Sequence, residues 1–222
     1  MVLENIYVTK ILKEFEKLYP DATTSLKYET PFELLVATML SAQSTDKQVN
    51  KITSKLFKQF NTPEEFAALE PCQLEEIIKG CGLFRTKSKN IIETSRILVE
   101  KYGGQVPRNL EALVELPGVG RKTANVVLSN AFNEDAIAVD THVFRVANRL
   151  GLANSKTPLG TELQLRNTIP KELWSKAHHW LITHGRQVCL ARNPRCYLCT
   201  LAQWCKSRKC ITENKRKELK DK

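Results

Sequence analysis

Leu116-Pro-Gly-Val-Gly-Arg-Lys-Thr-Ala124 is the stretch around which the chain is organised. Leu113 and Val114 precede it, Pro117 and Gly118 force a turn, and Gly120 follows two residues later. Directly afterwards Ala124, Val127, Leu128 and Ala131 recur at i, i+3, i+4 and i+7, the spacing of one helix face. The stretch reads as helix, tight glycine hairpin, helix. Glycine at 118 and 120 matters because a side chain there would keep a ligand off the backbone. The first amides of the second helix lack intrahelical acceptors, and such N-termini hold phosphate. Gly118, Val119, Gly120 and Arg121 are therefore candidate contacts to a nucleic-acid backbone that read no base sequence. A plain helix–helix corner is the competing reading, and the Arg121-Lys122 pair tips the balance towards the anion site.

These residues resemble the helix-hairpin-helix motif of DNA-binding proteins. Lys122, in the first turn of the second helix, has two readings: a phosphate contact, or a nucleophile whose unprotonated amine forms a Schiff base with a sugar carbon. Asp140 bears on that choice. It closes Ala136-Ile-Ala-Val-Asp140, and Val143, Val146, Ala147 and Leu150 then repeat the helical spacing. An N-cap is a sufficient reason for an aspartate there. A carboxylate at a helix entrance can also stabilise positive charge on a deoxyribose or accept a proton. The two residues lie eighteen positions apart, so only the fold can bring them to one task.

Outward from this centre the chain reads as helix after helix. Ile11, Leu12, Phe15 and Leu18 give the first an apolar stripe ended by Pro20. Thr30-Pro-Phe-Glu33 and Thr62-Pro-Glu-Glu65 each carry a capping threonine, proline at the first helical position and glutamate at the third. The apolar run Phe32 to Leu40 is placed in the core. Further helices are expected at 45–60, 72–79, 86–101, 109–115, 121–132, 141–150, 158–168 and 172–187. Alternating strand patterns are nearly absent. The predicted fold is all-α, with many short helices.

The 222 residues suffice for a substantial core. A formal charge of +10 suggests a polyanionic partner, but Lys206 to Lys222 holds eight Lys/Arg against three Asp/Glu and so half of that excess. The first ten residues show no secretory pattern and no stretch is long and apolar enough to span a bilayer, so a soluble intracellular protein is expected.

Seven cysteines is an odd number, and Cys189, Cys196, Cys199 and Cys205 fall within seventeen residues. In a reducing compartment such crowding favours metal ligation over disulfides. Zinc sites usually come as two Cys-x-x-Cys knuckles and this run has one, while four thiolates equally suit a [4Fe–4S] cluster. The residue pattern leaves the two balanced. Pro194 shapes the first loop, Arg192 and Arg195 flank it as possible phosphate contacts, and Cys210 is near enough to compete as fourth ligand. Cys72 and Cys81 read as small buried hydrophobes.

The 116–124 stretch, Val-Asp-Thr-His-Val (139–143) and the cysteine run together resemble the endonuclease III family. So do Leu-Ser-Ala-Gln-Ser-Thr-Asp (40–46), Gly-Leu-Phe (82–84) and His-His-Trp-Leu (178–181), a likeness running from about Pro20 to Cys205. The resemblance implies a bifunctional DNA glycosylase and abasic-site lyase acting on oxidised pyrimidines in double-stranded DNA, as a cytoplasmic, nucleoid-associated monomer. It assigns Lys122 as the Schiff-base nucleophile, Asp140 as its carboxylate partner, and the four cysteines to a structural [4Fe–4S] cluster. It also implies a six-helix domain at 24–134 ending in the hairpin, a discontinuous cluster domain from 1–23 and 135–211, a basic tail at 212–222, and a DNA cleft between the domains.

A damaged base inside a duplex must be extruded and its gap filled. Gln43 and Leu83 match the gap-filling positions of the family, although by residue type alone they read as a surface glutamine and a core leucine. His142 joins the implied DNA contacts. One departure is Asn193, where the family often has lysine; it removes a presumed phosphate contact and leaves the catalytic pair intact. An adenine-mismatch glycosylase would share the fold and cluster but usually lacks the lysine matching Lys122 and adds a C-terminal recognition domain. A non-enzymatic DNA-binding module would bind in a salt-dependent way without cleaving.

Overall fold

The computed structural model describes residues 2–208, with side chains from Ile6 onward. Cys210 and the basic run at 212–222 lie outside the described residues. Among the described residues there is no strand, and the helices are α1 (Val2–Leu18), α2 (Pro31–Ser41), α3 (Asp46–Leu56), α4 (Pro63–Ala67), α5 (Pro71–Ile78), α6 (Phe84–Tyr102), α7 (Leu110–Val114), α8 (Arg121–Ala131), α9 (Thr141–Leu150), α10 (Pro158–Thr168) and α11 (Trp174–Gln187). None of these is long and apolar enough to cross a membrane.

The helix starts follow the capping chemistry. Thr30 Oγ1 accepts from the Glu33 amide at 3.1 Å, and Glu33 Oε2 reaches back to the Glu29 amide at 2.6 Å. Thr62 and Glu65 form the reciprocal capping box. Three expected spans change. The helix expected to Phe60 ends at Leu56, because Phe57 and Phe60 turn in to pack on the core. Helix α6 starts at Phe84 and runs to Tyr102, where Gly103 in the left-handed region stops it. The span from 172 divides into a 3-10 turn (Lys171–Leu173) and α11.

The chain forms two compact units, one spanning Thr24–Ala136 and the other joining the residues up to Thr23 with those from Ile137. In the Thr24–Ala136 unit α2 is the axis. Every residue from Phe32 to Leu40 is buried, and α3, α6 and α8 pack against it. Full burial of Leu34, Leu35 and Leu40 contributes about 1.5–3 kcal/mol each before conformational entropy is counted. Phe66 from α4 meets Phe32 edge-on at 5.2 Å. Cys81 is buried, but Cys72 is exposed, contrary to expectation. Helix α5 turns Leu74 and Ile78 inward, and a residue two before Leu74 falls about 200° round the helix, on the far face.

In the other unit α9 packs on α11 and α10, and α1 packs on α11. Phe15 stacks on Trp180 with centroids 6.2 Å apart, and the Trp180 indole donates to the Tyr19 carbonyl at 3.1 Å. These contacts tie α1 to a core built from Val143, Val146, Leu150, Leu165 and Leu181.

Candidate active site

In the Thr24–Ala136 unit the hairpin is held from below. The Val119 amide donates to the Leu116 carbonyl at 3.0 Å, and Thr94 on α6 donates to the Pro117 carbonyl at 3.0 Å. Gly118 has φ +75 and lies over Asn90, whose Nδ2 would be 2.6 Å from a Cβ. Val119 is only 4% exposed, so its side chain anchors the turn and leaves only its backbone for an outside contact. Gly120 caps α8 with ordinary extended backbone and no side-chain bond. Ala124 supplies the first α8 amide bonded back into the helix, to the Gly120 carbonyl at 3.0 Å. A Cβ on Gly120 would meet nothing within 4 Å. Space is therefore clear beside the start of α8, and Lys122 is exposed on that same first turn.

Gln43 and Leu83 occupy two neighbouring loops of this unit. Both are non-glycine residues in the left-handed region, with φ +54 and +59. Leu83 is 57% exposed and so is no core leucine; Gln43 is exposed too. The Gly82 amide donates to Ser44 Oγ at 3.1 Å, and a Cβ on Gly82 would approach the Gln43 carbonyl to 3.1 Å. Glycine at 82 is what lets the loops touch.

In the second unit Asp140 is the cap of α9. Its Oδ1 accepts from both the His142 and Val143 amides at 2.8 Å, which leaves Oδ2 outside the cap. Just upstream, His178 Nδ1 lies 2.7 Å from the Ala138 carbonyl and fixes the extended entry. Arg145 reaches the carbonyls of Cys189 (3.0 Å) and Gly185 (2.9 Å), and its Nη2 lies 3.1 Å from His142 Nδ1. Arg149 donates to the carbonyls of Leu190 (2.6 Å) and Ala191 (3.0 Å) and approaches Cys189 Sγ at 3.5 Å. One helix therefore carries the carboxylate at its start and holds the cysteine loop along its length.

Cys189, Cys196, Cys199 and Cys205 line a single cavity with Leu150, Val188, Pro194 and Ala202. Burial pushes the Cys199 thiol up to about 11 and the Cys205 thiol upward. His184 lies between Tyr19 (2.9 Å) and Cys199 Sγ (3.5 Å), and burial lowers it to about 4. Among the described residues no three His, Cys, Asp or Glu side chains gather as a site for one ion. Arg192 and Arg195 are exposed on the loop; Asn193 between them has φ +48, and the Arg195 amide donates to the Val188 carbonyl at 2.9 Å.

Residues 36–171 match the model of the HhH-GPD superfamily base excision DNA repair proteins. Endonuclease III of Haemophilus influenzae is 51% identical over 196 residues, covering 88% of this chain and 93% of the relative. That of Escherichia coli is 48% identical over 196 residues, with the same coverage of both chains. The chain belongs to the endonuclease III family. A solved endonuclease III, described as a trapped covalent intermediate with DNA and an estranged adenine, superposes with a TM-score of 0.89 at 45% identity, covering 94% of this chain and 98% of that one. A thermostable thymine-DNA glycosylase, 24% identical with a TM-score of 0.83, shares the fold.

Four residues of this endonuclease III family chain escaped the reading of the sequence: Lys87, Thr94, Arg145 and Arg149. Lys87 was detectable, since it lies three residues after Phe84 and four before Ile91, on the apolar stripe of α6. The arginines carried no such mark, because their acceptors are backbone carbonyls some forty residues away.

Proposed function

We propose that this protein is a DNA glycosylase and abasic-site lyase of base excision repair, with Lys122 as nucleophile and Asp140 as its carboxylate. The observation that carries the reading is the exposed Lys122 on the first turn of a helix whose bare glycine cap leaves room for a DNA phosphate. Capture of a 45% identical relative as a covalent intermediate with DNA supports a covalent mechanism.

In this scheme the uncharged Lys122 amine attacks C1′ of the damaged nucleotide, the glycosidic bond breaks, and its electrons leave with the oxidised pyrimidine. Asp140 Oδ2, outside the cap, balances positive charge on the sugar and accepts the proton shed by the attacking amine. Ring opening gives an imine, loss of a C2′ proton drives β-elimination of the 3′ phosphate, and water releases the enzyme. The hairpin backbone from Gly118 to Arg121 and the exposed Arg192 and Arg195 hold phosphates, His142 assists beside the α9 entry, and Gln43 and Leu83 fill the gap left by the extruded nucleotide.

Four thiols around one apolar cavity suit a cluster with a ligand at each corner, and Cys189, Cys196, Cys199 and Cys205 would hold a [4Fe–4S] group there. When bound it would cross-link the loop that presents Arg192 and Arg195. We assign the Thr24–Ala136 unit as the hairpin domain and the other as the cluster domain of a soluble, monomeric enzyme working on duplex DNA in the cytoplasm.

Borohydride trapping on a thymine-glycol duplex, with an abasic duplex beside it, tests this function. A covalent adduct on both, absent in Lys122→Gln, is expected. An adduct on the abasic duplex alone would remove oxidised pyrimidine as substrate; normal nicking by Lys122→Gln would overturn the nucleophile.

A further inference from the structure

Lys87 is 6% exposed on the inner face of α6, an unusual place for an ammonium group. Its Nζ donates to the Leu40 carbonyl at 2.8 Å and the Ala42 carbonyl at 2.6 Å, and reaches Ser44 Oγ at 3.5 Å. An ammonium group has three protons, and all three are directed at one five-residue segment, Leu40–Ser44, with Gln43 inside it. The Lys87 backbone amide meanwhile donates to the Leu83 carbonyl at 3.0 Å. A single residue thus grips both left-handed loops, by its side chain on one and its backbone on the other. Ser44 closes the circuit by accepting from Gly82, and Gln48 Nε2 donates to the Gly80 carbonyl at 3.3 Å.

Two adjacent non-glycine residues in the left-handed region persist only where the surroundings over-determine them. A methionine would fill the same space without desolvating a charge, so the ammonium is retained for what its donors hold. Burial works against that charge and moves the lysine below its ordinary range. Leu40 lies near the end of α2, where unpaired carbonyls attract a cation, so a plain helix cap is the rival explanation. Ala42 is the C-cap residue itself, so a plain cap also accounts for its carbonyl. It does not account for Ser44, two residues further on, which Lys87 reaches and which accepts from Gly82.

We propose that Lys87 is a positioning residue that locks Gln43 and Leu83 into one rigid wedge, so that both enter the duplex in a fixed register when a nucleotide is extruded. The proposal rests on the gap-filling reading of Gln43 and Leu83, and the test separates the two. Single-turnover cleavage is measured on an abasic duplex and on the same abasic strand alone, which has no gap to fill. The proteins are the wild type, Lys87→Met, Ser44→Ala and Leu83→Ala, each as cluster-loaded full chain. Lys87→Met is expected to lower the duplex rate roughly tenfold to a hundredfold, the scale of a small misplacement, with the single-strand rate within about twofold. Ser44→Ala should move the same ratio in the same direction. Equal loss on both substrates, or no loss on either, would overturn the positioning role and leave a helix cap. If Lys87→Met does not fold, an unchanged ratio in Ser44→Ala overturns it as well. Leu83→Ala reports on the wedge itself: a normal duplex rate there removes the gap-filling reading, whatever Lys87→Met does.

Discussion

Arg149 donates to the Leu190 carbonyl at 2.6 Å, and through that bond the last turn of α9 carries the first residues of the cysteine loop. The adjoining bond to Ala191 makes the guanidinium a two-point clamp, which lysine cannot reproduce. Arg149→Ala should leave two carbonyls without their charged donor and destabilise the unit by about 1–2 kcal/mol. Loss of the visible absorbance expected of the proposed cluster should be faster during dialysis, with Arg149→Lys in between. Retention equal to wild type would mean that the amide bonds of Cys189 and Arg195, with the Arg145 bond to the Cys189 carbonyl, hold the loop without Arg149.

Asp140 has two tasks that substitution can separate. Both cap bonds fall on Oδ1, and an asparagine carbonyl can accept them equally well. Asp140→Asn should therefore keep the melting temperature within about 2 °C while slowing single-turnover base release roughly 10²- to 10⁴-fold. Asp140→Ala should lose the rate and also about 0.5–2 kcal/mol of stability. Parallel loss of stability and rate in Asp140→Asn would reduce the residue to its cap.

What the sequence made legible was local. Threonine caps, the glycine hairpin and the periodicity around Asp140 are encoded within a few residues, and each expected cap is formed. Termini were less legible where tertiary packing decides them, as at Phe57 and Phe60, which leave the helix pattern to fill the core. Leu83 misleads for the opposite reason: an apolar residue signals burial, whereas here Gly82 and Ser44 hold its loop so that it faces outward. Long-range clamps such as Lys87 on Ala42 depend on the fold, and no spacing rule could name their acceptors.

Acid should weaken the fold through His179. Burial, with His178 adding to it, lowers His179 from 6.5 to about 3. Between those values the unfolded chain binds a proton that the folded chain refuses, so stability is present above about pH 6.5 and declines as pH falls. The slope is at most about 1.4 kcal/mol per pH unit, or about 2 kcal/mol from pH 6.5 to 5. Thermal melts at pH 7 and 5 should show the decline. His179→Phe should remove roughly half of it even if its stability at pH 7 is lower, because buried His184, lowered to about 4, loses stability over the same range. An equal decline in that variant would assign the acid sensitivity to other groups.

The two hairpin glycines should respond differently to alanine. At Gly118 the left-handed φ and the approach to Asn90 strain any side chain, at about 1–3 kcal/mol. Gly118→Ala should lower the melting temperature and distort the turn, so weakened DNA binding there confounds fold with contact. Gly120 has ordinary extended backbone, and its Cβ would project into empty space. Gly120→Ala should cost up to about 1 kcal/mol, because glycine is a better N-cap than alanine. If DNA phosphate sits against the α8 amides, that methyl lies in its path, and affinity for an abasic duplex should drop roughly tenfold at fixed salt and at a temperature well below the melting transition, where the protein is fully folded. Binding equal to wild type would place the phosphate elsewhere and leave Gly118 as the sole conformational requirement of the hairpin.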